Sequence, residues 1–371
     1  MSPTGATQTV TAAPGPITGT TPMTAVVRVP RGNRWHLRMW LFLGKMIPSA
    51  ELANLSFIHV ATWSVVRRHH RPWDGHLVFI SNFSGDSDEY IANFCDVVPV
   101  RITRSFGWCE GFPGAQPSVD FIAYERSHDY APSVYYSAFE AQTVRDLAMY
   151  VRVAKQVKLL CKAAKRNSVP TFCEAYNNVL TTAHERDPGP ITVSRRLAVI
   201  LAAWRPGRRM HSVTTILPLK KDEKDSVDSA LKALERVVKH VFDDVPGTHF
   251  ARFVKLPGTE PDSLLFSAQV DGRAGPYLGR LGDAIGAHPE LKEVFACCEG
   301  YPRDGRRRLR GWLGHYLVPA QLLIAANPRV TVASILEAKD LTPEFLDFAA
   351  DHQGLQPAAL LAAFRADTRW C

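Results

Sequence analysis

The stretch THFARFVKL (248–256) decides the fold, because it opens a series of three blocks that the chain contains twice. LLFSAQVDGRAGPY (264–277) and FACCEGYP (295–302) complete the later series. The earlier series has the same order and similar spacing, and consists of IHVATWSVV (58–66), LVFISNFSGDSDEY (77–90) and FGWCEGFP (106–113). Three matching blocks in one order indicate an internal duplication. The fold is therefore expected to contain two similar units.

The alignment pairs residues of the same type, inside the blocks and beyond them. The pairs are His36 with His211, His59 with His249, Gly85 with Gly272, Cys109 with Cys298, Glu110 with Glu299, and His128 with His315. Other aligned positions differ in charge: Thr62 aligns with Arg252, and Ser84 aligns with Asp271. A site that belongs to one copy alone is expected to carry such differences.

The later copy predicts the order β-α-β-β-α-β of a ferredoxin-like unit. Helices are indicated over Ser226–Val241 and Tyr277–Ala287 by apolar residues at helical spacing. The predicted strands lie at 211–219, 248–256 and 263–270, with a closing strand in VFACCEGY (294–301). The earlier copy follows the same plan with a shorter first helix, and its predicted strands include 36–46 and 100–108.

The fold class is therefore predicted to be α+β, with two tandem ferredoxin-like units that form a pseudo-dimeric α/β barrel or sandwich with helical extensions. Such a pair of sheets makes a concave pocket where ligands commonly bind. The predicted domains are a disordered leader (1–30), repeat 1 with a helical extension (31–166), a helical connector (167–205), repeat 2 with its extension (206–340) and a C-terminal helical tail (341–371).

Composition narrows the class of protein. The chain has 371 residues, of which 46% are hydrophobic and 22% charged, as in ordinary globular proteins. Its net charge of +8 suggests an anionic partner, with Arg306–Arg308 as the densest basic run in a predicted solvated loop. Seven cysteines without CxxC spacing favour a reducing compartment, so the cytoplasm is predicted. No transmembrane segment is expected, because no apolar run is long enough.

The tandem plan resembles the dimeric α/β-barrel superfamily, which includes haem-binding dye-decolourising peroxidases and chlorite dismutases. Those peroxidases carry a GxxDG motif, and the similar segment here is Ala268-Gln269-Val270-Asp271-Gly272, which lacks the first glycine. The resemblance implies a haem cofactor, with Asp271 and Arg252 as polar groups on its distal side. It also implies His315 or His249 as the axial ligand. As an ordinary strand-to-turn signal, Asp-Gly requires no such role.

The two CEG(F/Y)P blocks are the more specific signal. Glu299 is a candidate acid or base if it is partly buried, and Cys298 is a candidate nucleophile or metal ligand. The other interpretation is that a strand ends there in a Gly-Pro turn, with the cysteine as small apolar filler. A strand would also place the thiol and the carboxylate on opposite faces, so that only one of them can face a pocket.

Histidines that recur in both copies are candidate cofactor ligands or general bases: His59, His128, His249 and His315. A buried histidine bonded to backbone is the alternative for each.

The predicted function is an oxidoreductase-like protein that binds haem or a hydrophobic small molecule between the two units. One alternative is a non-catalytic binding module whose basic loops contact an anionic partner. Another is a thiol-dependent enzyme that uses Cys298, which requires a nearby His or Arg to lower its pKa.

Overall fold

The computed structural model describes residues 19–46, 57–67, 72–166, 168–185, 210–221, 223–258, 261–302 and 305–370. The later part of the predicted helical connector, from 186 to 205, lies outside these residues.

The first half of the molecule runs from residue 21 to residue 165. Its elements, in chain order, are β1 (Thr21–Arg28), α1 (Arg34–Met46), β2 (Ile58–Val65), β3 (His76–Phe83), α2 (Ser87–Val97), α3 (Pro99–Phe106), α4 (Ser118–His128), β4 (Val134–Ser137) and α5 (Val144–Lys165). The helix α6 (Val169–His184) follows it.

The second half runs from residue 210 to residue 351 in the same order of elements. These are β5 (Met210–Pro218), α7 (Lys224–Asp243), β6 (Thr248–Leu256), β7 (Ser263–Asp271), α8 (Ala274–Ala287), α9 (Pro289–Ala296), α10 (Arg306–His315), β8 (Leu322–Ala325) and α11 (Val332–Asp351). A final helix, α12, spans Pro357–Ala366.

The strands form two four-stranded antiparallel sheets in a mixed α+β fold. The strand orders are β1-β3-β2-β8 and β4-β6-β7-β5, so each half gives its last strand to the sheet of the other half. The β2–β3 and β6–β7 hairpins share one irregularity in register, at His59 and at His249. The two hairpins therefore match residue by residue.

The two sheets pack face to face. Val78 and Ile80 of β3 share one apolar cluster with Val254 and Leu265 of the other sheet. A second cluster joins Val60 of β2 to side chains of β5, β6 and β8. Helices cover the outer faces, so the central strands are buried on both sides, which explains their nearly continuous runs of Val, Ile and Phe.

Several predictions from the sequence are wrong, for identifiable reasons. The leader was predicted to be disordered to residue 30, but Thr21–Arg28 forms β1 and pairs with β3 along its whole length. Residues 36–46 form the helix α1 rather than a strand, so His36 does not match His211, which lies in β5. β1 occupies the place that the sequence alignment gave to 36–46. The Thr- and Pro-rich composition hid a strand whose backbone is satisfied by its neighbour in the sheet.

The segments before the two CEG blocks are also helical. They form α3 and α9, and each begins with a proline at its first or second position, which suits the start of a helix better than a central strand. The run Arg306–Arg308 begins the helix α10 and is not a loop. The predicted boundary at 340/341 falls inside α11, which is continuous across Lys339–Thr342.

The remaining helical predictions are confirmed for α5, α6, α7, α8 and α12. Phe364 of α12 packs with Phe172 of α6 and Phe348 of α11, as part of an apolar cluster that also includes α5. This cluster supplies the packing partner that the apolar C-terminal helix was expected to need.

Candidate active site

The first half contains a carboxyl group buried without a partner. Glu125 is 2% exposed, and among the residues that the structure describes neither of its carboxyl oxygens has a hydrogen-bond partner. It lines a small pocket whose other walls are mainly aromatic and aliphatic: Met23, Phe79, Tyr90, Ile91, Phe94, Ile102, Phe106 and Phe121. The free volume is about 10 Å³, which is about the room that one water molecule needs.

The helix α4 places Glu125 there. Phe121, Tyr124 and Glu125 are its buried residues, so the glutamate occupies the face that packs on the core. The Tyr124 hydroxyl donates to the backbone oxygen of Glu110 at 3.0 Å, which anchors the turn of helix that carries Glu125. Because this hydrogen bond fixes the rotation of α4 about its axis, Glu125 points towards the core.

Its surroundings favour the protonated acid. Burial and, to a smaller extent, the negative charge of Asp129 raise the pKa of Glu125 to about 8. Tyr90 bonds Ser81 across the same pocket, with 2.7 Å between the hydroxyl oxygens. Burial raises the pKa of that tyrosine as well. At neutral pH Glu125 is therefore mainly protonated.

The matching position in the second half is apolar. Asp129 bridges Ala25 of β1 as Leu317 bridges Thr215 of β5. Trp312 also matches Tyr124, because its indole Nε1 donates to the backbone oxygen of Glu299 at 3.0 Å. Glu125 consequently corresponds to Leu313, a fully buried leucine.

The backbone contacts of this segment shift the sequence alignment of the two halves by one residue. Tyr130 donates its backbone N–H to Thr24, and Val318 donates to Thr214, so His128 corresponds to Tyr316 and not to His315. The two histidines are therefore not structural counterparts.

A second, larger cavity lies on the outer side of α3. It is a groove of about 470 Å³ open to solvent, lined by α1 and by the residues between Val97 and Arg104. Ile102 and Phe106 of the same helix line the small pocket that holds Glu125. The groove has ligand size and none of its lining residues is a buried carboxyl, whereas the small pocket has the carboxyl and little room. Residues of α3 line both.

The CEG blocks contribute to the fold through backbone hydrogen bonds and a glycine turn. The N–H groups of Glu110 and Glu299 donate to Arg28 and Pro218 at the ends of β1 and β5. Gly111 and Gly300 follow with positive φ angles of 72° and 66°, which glycine adopts at low cost.

Their side chains do not supply the predicted chemistry. Burial raises the pKa of the Cys298 thiol, and its sulfur lies against the backbone oxygen of Val294 at 3.9 Å. This is opposite to the lowered pKa that the thiol-enzyme alternative requires, so that alternative is wrong in its premise. Glu299 lies exposed beyond the thiol and is not the buried acid that was sought.

His249 and Asp271 do come together. The Nε2 atom of His249 lies 3.0 Å from Oδ1 of Asp271, and Oδ2 of the same carboxylate accepts the backbone N–H of Val332 at 2.9 Å. Val332 is the first residue of α11, so Asp271 ties a strand end and a histidine to a helix N-terminus, where a negative charge is favourable.

The first half repeats this arrangement with a hydroxyl. Ser84 lies 3.1 Å from Nε2 of His59 and accepts the backbone N–H of Val144, the first residue of α5, at 3.2 Å. Burial lowers the pKa of His59 to about 3, so this histidine is neutral. Both histidines serve the junction between a sheet and a long helix.

Arg252 lies elsewhere, between the two sheets. Its Nη1 donates to the backbone oxygen of Met23 at 2.6 Å and to Oγ1 of Thr24 at 2.9 Å. Its Nη2 donates to the backbone oxygen of Ser81 at 3.0 Å and to the side-chain oxygen of Asn82. Burial lowers the pKa of Arg252 to about 10, which leaves it charged at neutral pH. It shares none of these partners with Asp271, so the two do not form one distal site.

The four histidines that were predicted to bind a cofactor do not form a haem site. His59 and His249 bond protein groups at Nε2, His128 bonds the backbone oxygen of Tyr124 at 2.8 Å, and His315 is exposed at the end of α10. The sheet interface where a haem was predicted is filled by apolar side chains and by the Arg252 network.

Sequence reasoning missed Glu125, although a signal was present. Phe121, Tyr124, Glu125 and His128 recur at helical spacing, and an acid in such a stripe marks a buried carboxyl. The segment precedes a block that was aligned one residue out of register, so its leucine counterpart was not visible.

Comparisons with known proteins add little. No protein-family model and no curated protein matches the chain. Among solved structures, a proposed monooxygenase from Lactobacillus acidophilus NCFM has a TM-score of 0.29 at 9% identity and covers 82% of this chain and 97% of its own. An anthrone oxidase-like protein has a TM-score of 0.26 at 10% identity, covering 84% and 95%. Similarity this low supports no conclusion about activity.

No helix among the described residues combines the length and the hydropathy that a membrane crossing needs.

Proposed function

We propose that the protein binds a small, largely apolar ligand in the first half, and that Glu125 exchanges a proton with it. The observation that carries this proposal is a fully buried carboxyl without a partner, at a pocket of aromatic side chains, where the second half has leucine. A buried group with a strongly shifted pKa inside a pocket is a candidate for catalysis.

The side chains that line the pocket indicate which kind of ligand it can bind. Phe79, Phe106 and Phe121 offer ring faces and edges, and Glu125 offers one O–H donor or, when ionised, one acceptor. A flat aromatic molecule with a single hydroxyl or carbonyl group suits that combination. Because the free space in the pocket is about 10 Å³, room for about one water molecule, binding of such a ligand requires the surrounding side chains to move apart.

The test is binding of a fluorescent phenol, 2-naphthol, at pH 6, 7, 8 and 9. Wild type is expected to bind with an affinity that changes through the pKa of Glu125, and Glu125→Gln to bind without that change. Glu125→Leu removes the hydrogen bond, and about tenfold weaker binding is expected. Leu313→Met, the matched control in the second half, is expected to behave as wild type. Equal binding by wild type and both Glu125 variants at every pH would overturn the proposal.

Oxidoreductase activity remains a prediction. A proton-exchanging acid serves oxidation, isomerisation or elimination equally well, so the class of reaction has to be found by assay.

We also propose that the two halves descend from a duplicated ferredoxin-like unit and that the chain belongs to the dimeric α/β-barrel superfamily. Support comes from the shared order of elements, the matched irregularity at His59 and His249, and the exchange of β4 and β8 between the sheets.

A second candidate function is the non-catalytic binding module. Trp35, Met39 and Phe42 are exposed on one face of α1, and the Arg104 guanidinium carbon lies 4.4 Å from the centre of the Trp40 ring beside them. Exposed apolar residues beside cations suit an acidic protein partner. This function becomes the leading one if 2-naphthol binding does not depend on Glu125.

A further inference from the structure

A second group of polar side chains lies in the other half, far along the chain from Glu125. His240 and Asp244 are four residues apart at the C-terminal end of α7, which places them on one face. His288 precedes the first residue of α9 and packs against them, with its ring centre 5.3 Å from that of His240 in an edge-on arrangement. One ligand atom from each of the three lies within 4.8 Å of the others.

His288 is the unusual member of this trio. It is 8% exposed, and its Nε2 atom faces the carboxylate of Asp244, with 3.1 Å between Nε2 and Oδ2. Among the described residues this nitrogen makes no other polar contact. A cation held between the imidazole and the carboxylate would be bound by both.

The fold does not impose this arrangement. In the first half the residue in front of the proline-initiated helix α3 is Val98, which is buried and apolar. His288 holds the same position in front of α9 and is also buried. Both halves thus bury a side chain at the start of this helix, and only the second half has a metal-ligating type there.

We propose that His240, Asp244 and His288 bind a divalent transition metal of the zinc class. Two imidazoles and one carboxylate form a donor set that Zn²⁺ accepts, with water in the fourth position. The C-terminal end of α7 adds the partial negative charge of its free carbonyl groups. The bound ion ties the end of α7 to the start of α9, so it acts as a clip between two helices. This site is independent of Glu125 and of the proposed ligand pocket.

The test is zinc titration by calorimetry of the full chain, purified without an affinity tag and treated with chelator. Wild type is expected to bind one ion per chain and to show a higher melting temperature with Zn²⁺. His240→Ala and His288→Val are each expected to bind about tenfold or more weakly, because each removes one of three ligands. His288→Val copies the residue at the matching corner, so it should fold. His184→Ala, an exposed histidine at the end of α6, is the control and should bind as wild type.

Cobalt provides a second measurement that does not depend on stability. Co²⁺ bound by nitrogen and oxygen ligands in a four-coordinate site gives visible absorption bands that exposed surface histidines do not give. Loss of these bands in His288→Val but not in His184→Ala supports the site. Equal zinc affinity in wild type, His240→Ala and His288→Val, or cobalt bands that survive His288→Val, would overturn it.

Discussion

The two halves of this protein share a backbone plan and differ in the polar groups that they bury. The first half holds a neutral acid, Glu125, at a position where the second half has Leu313. The second half holds a charged guanidinium, Arg252, at a position where the first half has Thr62. In both halves a side chain accepts the first backbone N–H of the helix that follows the exchanged strand: Ser84 for α5 and Asp271 for α11.

This comparison separates what maintains the fold from what distinguishes a site. Features present in both halves, such as the CEG backbone contacts and the histidine at the strand irregularity, are explained by the architecture. Features present in only one half are not required by the shared architecture. Among the described residues Glu125 has no hydrogen-bond partner, whereas the Arg252 guanidinium donates to four acceptors. Glu125 is therefore the better candidate for a reactive group, and Arg252 the better candidate for holding the sheets together.

The largest expected effect is on the pH dependence of stability at Glu125. Because its folded pKa of about 8 exceeds the ordinary value of 4.5, the folded state binds this proton more tightly than the unfolded state does. The contribution to stability is full below about pH 4.5 and is lost as pH rises through about 8. Glu125→Leu should therefore gain up to roughly 5 kcal/mol over wild type at pH 9, and far less at pH 5.

Urea unfolding of wild type and Glu125→Leu at pH 5, 7 and 9 measures this difference. Glu125→Gln keeps the shape and removes the charge, so its profile should also flatten. The reciprocal change, Leu313→Glu, should introduce the same pH dependence into the second half. Parallel profiles for wild type and both Glu125 variants would show that Glu125 is not buried as an acid.

The next effect in size concerns Arg252. Its replacement by methionine removes the four hydrogen bonds by which its guanidinium joins β6 to β1 and β3, and a loss of about 3–5 kcal/mol in the free energy of unfolding is expected. The matched change Thr62→Val removes one long hydrogen bond, of 3.4 Å to the backbone oxygen of Ile80, and should cost less than about 1 kcal/mol. Urea unfolding at pH 7 compares them.

Arg252→Lys sharpens this test. A lysine carries one nitrogen on a flexible chain and does not reproduce the fork that reaches both β1 and β3, so it should recover little of the loss. Full stability in Arg252→Lys would mean that the charge matters and the geometry of the hydrogen bonds does not.

The smallest effect concerns the two helix caps. Asp271→Ala removes the acceptor of Val332 and of His249 together, and a loss of about 1–2 kcal/mol is expected. Ser84→Ala removes a neutral and longer bond to Val144, for about 0.5–1 kcal/mol. Hydrogen exchange should show lower protection in the first turn of α11 for the former and of α5 for the latter. Equal losses in both variants would mean that the charge of Asp271 adds nothing at its helix.

The sequence by itself determined the elements whose signals are local. The stripe Val227, Leu231, Leu234 and Val238 predicts α7, and alternating and β-branched residues predict β6 and β7. Local signals failed for β1, whose short run TAVV follows a Thr- and Pro-rich leader that lacks periodicity. They also failed for α3 and α9, where a buried helix of eight residues resembles a strand.

Tertiary structure alone decided where the candidate sites lie. Sequence alignment drew attention to His249, Asp271 and Arg252 because they stand in or beside repeated blocks. The packing of α4 on the sheet turned Glu125 inward and left it without a partner, and the approach of α7 to α9 brought His240 and His288 together. Burial and proximity across distant segments set the reactivity of a side chain, and a linear sequence does not contain those distances.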